Sequence, residues 1–218
     1  MTAAGYRCIS YDLTGSALSS YTFIEQSTAT LAKDAIDLMD ALSIKQAVFV
    51  GHSMSGIVGP EVAATYPDRI TGLALIGPVY PSKEAAPVFT DRIAKVMEGG
   101  METMADVVPF SALGSKAQNV HKAFVRELVL GMEPIAYCSL CRVIAGAWEQ
   151  MPKYADVKCP VLVIAGDEDK SAPLAGCEKL IAALRTSKKD LKVMKGVGHW
   201  QCIEAAEDTA SLMIDLLA

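Results

Sequence analysis

A run that favours a strand, Ala47-Val48-Phe49-Val50, meets a helix-like run from Ile57 to Tyr66 across Gly51-His52-Ser53-Met54-Ser55-Gly56. A strand turned into a helix over so few residues holds its central residue in a strained backbone conformation and aims that side chain out of the sheet. The residue so placed is Ser53, presented as a nucleophile. Strand and helix approach too closely there to admit bulk beside the turn, and Gly51 meets that need. Two residues after the serine, where the G-x-S-x-G pattern has glycine, stands Ser55, small but bearing a hydroxyl. A glycine-rich turn without chemistry would fit the same six residues, so the remainder of the chain has to decide.

At 218 residues the chain suits one domain with a subdomain and can bury about 70% of the surface its unfolded form exposes. Hydrophobic residues make up 51% and charged residues 21%, with no apolar run long enough to span a bilayer. A net charge of −5 and scattered lysines and arginines speak against nucleic acid, which needs a clustered basic face. Lys188-Lys189 reads as a solvated loop. The six cysteines lie mostly in apolar segments and the opening residues show no charged-then-apolar signal, so a reducing, cytoplasmic setting is expected. Cys138-Ser139-Leu140-Cys141 invites a zinc reading, but no second ligand pair follows at suitable spacing. Buried thiols and no metal are expected.

Along the chain, Tyr6 to Leu13 reads as a strand, and Ser27 as the N-cap of a helix through Leu42. Leu31, Ala35, Leu38 and Leu42 recur at helical spacing, with Ile36 and Met39 widening the stripe. Leu73–Ile76, Val161–Ile164 and Leu191–Met194 are further short apolar strands, and another helix starts near Ala206. Strands that alternate with helices and are apolar on both faces indicate an α/β fold, a mostly parallel sheet flanked by helices. From 78 to 153 the alternation stops and methionines recur at helical spacing among prolines. This segment reads as a helical cap inserted into a core made of 1–77 and 154–218. A thioether-rich lining suits an apolar pocket beneath a lid, with Trp148 and Phe110 as substrate contacts.

A serine hydroxyl needs a base to take its proton and a carboxylate to hold that base in the right tautomer. The chain has three histidines. His52, on a strand end beside the serine, reads as packing, its ring turned away from the site; His121 lies in the insertion and reads as exposed. His199, in the loop Gly196-Val197-Gly198-His199-Trp200 after the last strand, remains. Loops at the carboxyl ends of parallel strands converge on one rim, where Ser53 also emerges. Gly166-Asp167-Glu168-Asp169 supplies three carboxylates at another strand end, and spacing alone does not choose among them.

The elbow, the acidic loop closing at Pro173 and the Gly198-His199 pair, in the chain order Ser, Asp, His, resemble the α/β-hydrolase fold family. That family places its acid three residues after the glycine and four before the proline of this loop, which implies Asp169, with Asp167 and Glu168 as surface charges. Glu204, five residues after the histidine, and Tyr11-Asp12-Leu13 with Gly15 extend the match over nearly the whole chain. The segment Gly131 to Cys138 resembles the cap of the 3-oxoadipate enol-lactonase branch and related small-ester hydrolases. The resemblance implies a small ester or lactone substrate, no cofactor, Ser53 as nucleophile, His199 as base, Asp169 as its orienting acid and the Met54 amide as one oxyanion donor. It places the second donor, and a strand between those ending at Asp12 and Val50, in segments this chain does not show, so a chain shortened at its front is the expectation. Two other outcomes stay open: a non-catalytic small-molecule binding protein, and a triad enzyme performing intramolecular acyl transfer, C–C cleavage or haloperoxidase-like chemistry. The sequence leaves the oligomeric state open.

Overall fold

The computed structural model describes residues 1–217. Its centre is a parallel four-stranded sheet in the order β1 (Ala47–His52), β2 (Ile70–Ile76), β3 (Val161–Gly166) and β4 (Lys189–Met194). Each strand pairs with the next in sequence, with Phe49 opposite Leu73, Leu75 opposite Val163 and Ala165 opposite Val193. Between strands the chain runs through helices, as parallel pairing requires.

The alternation of side chains along β2 and β3 builds two cores. Leu73, Leu75, Val161 and Val163 pack with α1 (Thr28–Ala41), α2 (Ser55–Thr65) and α8 (Leu174–Ala183) through Leu31, Ile36, Val58, Val62, Cys177 and Leu180. On the opposite face Ile76, Leu162 and Ile164 meet Leu212, Met213 and Leu216 of α9 (Ala206–Leu217). Each such fully buried branched side chain contributes about 1.5–3 kcal/mol of transfer free energy. α1 begins where its cap dictates: Ser27 Oγ accepts the Thr30 amide at 3.1 Å and Thr30 Oγ1 accepts the Ser27 amide at 2.8 Å. These reciprocal bonds satisfy two of the orphan donors at a helix start.

Between β2 and β3 lie α3 (Ala86–Gly99), α4 (Glu102–Ala105), α5 (Val108–Ser111), α6 (Asn119–Leu130) and α7 (Pro134–Gly146). They carry a core of their own, in which Val96, Met101, Met104, Val125, Val129 and Cys138 are buried. The methionines divide: Met101 and Met104 fill this core, whereas Met97 and Met151 face solvent.

One expected element is not a strand. Tyr6 to Leu13 has no ladder partner among the described residues and leaves Ile9 and Tyr11 exposed. A groove of about 670 Å³ is lined by Tyr6, Ile9 and Tyr11 together with Val48 and Val50 of β1. A strand needs a neighbour about 4.8 Å away to receive its N–H and C=O groups, and across this groove it has none. Leu38 and Leu42, expected in the buried stripe of α1, line the groove as well. Among the described residues no helix is long and apolar enough to cross a membrane.

Candidate active site

β1 ends at His52 and α2 starts at Ser55, so Ser53 stands in the turn between them with φ at 55°. Its amide donates to the Ile76 carbonyl at 2.9 Å, and its carbonyl accepts from Val79 N–H at 2.8 Å. Those bonds hold a left-handed backbone that a residue with Cβ otherwise avoids. The crowding expected of the elbow is present: a Cβ on Gly51 would lie 2.4 Å from Ser55 Cβ, and one on Gly56 2.3 Å from the Val79 carbonyl oxygen. The Ser55 hydroxyl is buried without a hydrogen-bond partner among the described residues.

The loops after β3 and β4 bring the other two groups to the serine. His199 Nε2 lies 2.9 Å from Ser53 Oγ, and His199 Nδ1 lies 2.8 Å from Asp169 Oδ2. Because a carboxylate can only accept, Nδ1 carries the proton and Nε2 is left free to accept from the serine hydroxyl. Asp169 and His199 are 5% and 6% exposed, while Ser53 keeps partial exposure. The Ser171 and Ala172 amides, at 2.8 and 2.7 Å, aim the other Asp169 oxygen. Beside them Met54, Ile57, Val79, Ile144, Ala147 and Ala172 form an apolar cluster against the elbow and the acid's loop.

The two neighbouring acids are exposed, as surface charges should be, yet they also tie loops together. Asp167 Oδ1 accepts the Gly196 amide at 2.7 Å, and Glu168 accepts from Ser115 N–H and Oγ–H at 2.6 and 2.7 Å. The His199 loop is pinned further. The His199 amide donates to the Ala112 carbonyl at 2.7 Å. Glu204 accepts the Gly198, Trp200 and Gly114 amides at 3.0, 3.1 and 2.7 Å. The family resemblance pointed to Glu204, but nothing in the sequence signalled the insertion residues 112–115.

Met54 is the N-cap of α2, and a helix start of this kind favours developing negative charge. The two expected substrate contacts lie at the surface instead of lining a closed pocket. Phe110 is 68% exposed with Lys122 Nζ 5.5 Å over its ring, because α5 turns it outward. Trp148 sits in an open depression with Ala86, Pro87 and Thr90, under Lys83 Nζ at 5.7 Å. His121 accepts the Gln118 amide at 3.2 Å and serves as a cap for α6. His52, read as packing turned away from the site, has its ring centroid 4.7 Å from that of His199. Cys138 and Cys141 are buried in α7, and burial pushes the Cys141 thiol up to about 11. Among the described residues no group of His, Cys, Asp and Glu could hold a metal ion.

The family model described as serine aminopeptidase, S33, matches residues 1–205. The chain is 27% identical to the 2-hydroxy-6-oxo-6-phenylhexa-2,4-dienoate hydrolase of Comamonas testosteroni, over 98% of this chain and 78% of that one. It is 28% identical to 3-oxoadipate enol-lactonase 2 of Acinetobacter baylyi, over 81% of this chain and 68% of that one. The crystal structure of the enol-lactonase from Burkholderia xenovorans LB400 is similar with a TM-score of 0.85 at 29% identity, covering 95% of this chain and 79% of that one.

Proposed function

The chain belongs to the serine aminopeptidase S33 family and has the α/β-hydrolase fold, and from that premise we propose that it cleaves a small ester or lactone through an acyl-enzyme on Ser53. The observation that supports this most is the unbroken hydrogen-bonded line from Ser53 Oγ through His199 to Asp169, at 2.9 and 2.8 Å.

In this reading His199 Nε2 takes the serine proton as Oγ attacks the carbonyl carbon, and Asp169 stabilises the imidazolium that results. The carbonyl oxygen, now negative, faces the Met54 N–H at the start of α2. The imidazolium returns its proton to the leaving oxygen as the C–O bond breaks. A water molecule, deprotonated by the same imidazole, then attacks the acyl-enzyme; the C–Oγ bond breaks, the imidazolium returns the proton to Ser53 Oγ and the acid is released. Residues 78–153 act as the cap over a core of 1–77 and 154–218, and the apolar cluster at Met54, Val79 and Ala147 forms the dry wall beside the reaction.

A second reading is C–C cleavage of an oxo-dienoate, favoured by the name of the Comamonas relative. Turnover of p-nitrophenyl acetate, of a simple lactone and of a 2-hydroxy-6-oxodienoate, each with wild type and Ser53→Ala, separates the two. Ester and lactone hydrolysis that disappears with the serine is expected. Turnover of the dienoate alone would move the assignment to carbon–carbon chemistry, and turnover of none by a folded wild type would contradict both.

A further inference from the structure

Consecutive residues of a strand point to opposite faces, which is why His52 was expected to turn away from whatever Ser53 contacts. The left-handed backbone at Ser53 cancels that alternation. His52 and Ser53 both reach His199, one from each end of the residue. Ser53 Oγ meets its imidazole at 2.9 Å, and His52 Nε2 meets its main-chain carbonyl at 2.7 Å.

We propose that His52 is a positioning residue for His199, setting the reach of the base to the nucleophile through a hydrogen bond from its own ring to the His199 carbonyl. This rests on the hydrolase reading above. The contacts close a ring: Ser53 side chain, His199 imidazole, His199 main chain, His52 imidazole and back along one peptide bond to Ser53. Within that ring the separation of nucleophile and base is fixed by β1, a paired strand, rather than by the loop on which His199 sits.

Three features fit His52 for the task. A carbonyl accepts only, so Nε2 bears the proton and the tautomer is fixed. The ring is held between those of His199 and Trp200, with centroids 4.7 Å away in each case. Burial first, and the neighbouring His199 second, lower its pKa from 6.5 to about 3, against the opposing pull of the backbone hydrogen bond and Asp169. The ring therefore stays neutral at working pH and adds no second positive charge beside the imidazolium that forms during turnover. The amide of His199 is already held by Ala112 and its flanking amides by Glu204. The carbonyl is the main-chain group of this residue that His52 secures.

The test compares wild type, His52→Leu, which fills the space without a donor, and His52→Gln, which keeps an N–H donor. The rate of Ser53 labelling by a fluorophosphonate is measured with kcat and KM for p-nitrophenyl acetate across pH 5–9. Misplacing a catalytic group by about 1 Å costs up to about 10²-fold, so His52→Leu should lower labelling and kcat about 10- to 100-fold with KM within about twofold. His52→Gln should recover most of that loss. Long-range proton–nitrogen NMR of the wild type supplies an arm that needs no variant: one histidine ring stays in the Nε2–H form, without titrating, from pH 5 to 9. A labelled wild type with a folded His52→Leu as fast as it, or a His52 ring that titrates near 6.5, overturns the inference alone. A wild type that does not label overturns the hydrolase reading and this inference with it.

Discussion

Within six residues β1 joins two contrasting environments. At its carboxyl end His52 and Ser53 stand on a rim where the polar groups around His199 are tied by the Asp169, Glu204 and Ala112 contacts. Along its flank Val50 is 47% exposed and faces a groove, across which the segment 6–13 lies without a ladder. At the rim, backbone geometry dictates side-chain identity: a left-handed turn, two glycines without room for a Cβ, a carboxylate aimed by two amides. On the flank nothing comparable dictates anything. The difference teaches that hydrogen bonds and close contacts constrain side-chain identity at the rim, and that the flank of the same strand does not share them.

The contrast breaks most sharply at the acids. Asp169→Asn, which presents the wrong hydrogen-bond partner to His199 Nδ1, should lower kcat about 10⁴-fold. Asp167→Asn, at an exposed carboxylate holding Gly196, should stay within about tenfold of wild type, since it touches neither reacting group. Steady-state kinetics of the two variants check this, and the reverse ranking would assign the wrong carboxylate.

A smaller effect separates the rim from the flank by pH. An unfolded histidine takes up a proton near 6.5, which folded His52 refuses until about 3. The unfolded state therefore binds more protons between those values, and stability falls as pH drops through that window. From pH 7 to pH 4 the wild type should lose about 3 kcal/mol more than His52→Gln. Urea unfolding of both proteins at both pH values measures the difference, and equal losses would place His52 in a solvated setting.

The smallest effect belongs to the flank. Val50→Thr should change stability by no more than about 0.5 kcal/mol, whereas Leu75→Ala, in the sheet's fully buried centre, should cost about 2–5 kcal/mol. Thermal unfolding of the two variants compares them, and a large loss at Val50 would show that the flank is more ordered than its exposure implies.

Legibility in the sequence followed the same division. β1 to β4 and the α1 cap were readable because apolar runs and Ser27 act through local rules. The meeting of Ser53 with His199 was readable because an elbow demands small neighbours and three histidines leave little choice. Asp169 was not separable from Asp167 and Glu168 by spacing; resemblance pointed to it, and the amides of Ser171 and Ala172 supply the physical reason it turns inward. The segment 6–13 has strand-like composition, but a strand exists only with its neighbour, and composition carries no word about neighbours. Phe110 and Trp148 show the same limit: composition in the insertion says that a segment is apolar, not that Phe110 faces solvent or that Trp148 sits in an open depression. His52 was misplaced because alternation along β1 ends at His52, one residue earlier than the rule assumes, where the left-handed Ser53 follows.

The most direct test of the account is intact-mass and peptide mapping after fluorophosphonate treatment of wild type, Ser53→Ala and His199→Ala at neutral pH. One adduct on the peptide carrying Ser53 in the wild type, none in Ser53→Ala and at least about 10³-fold slower labelling in His199→Ala is the predicted result. A folded wild type that takes no adduct, or a His199→Ala variant that labels at the wild-type rate, would contradict it.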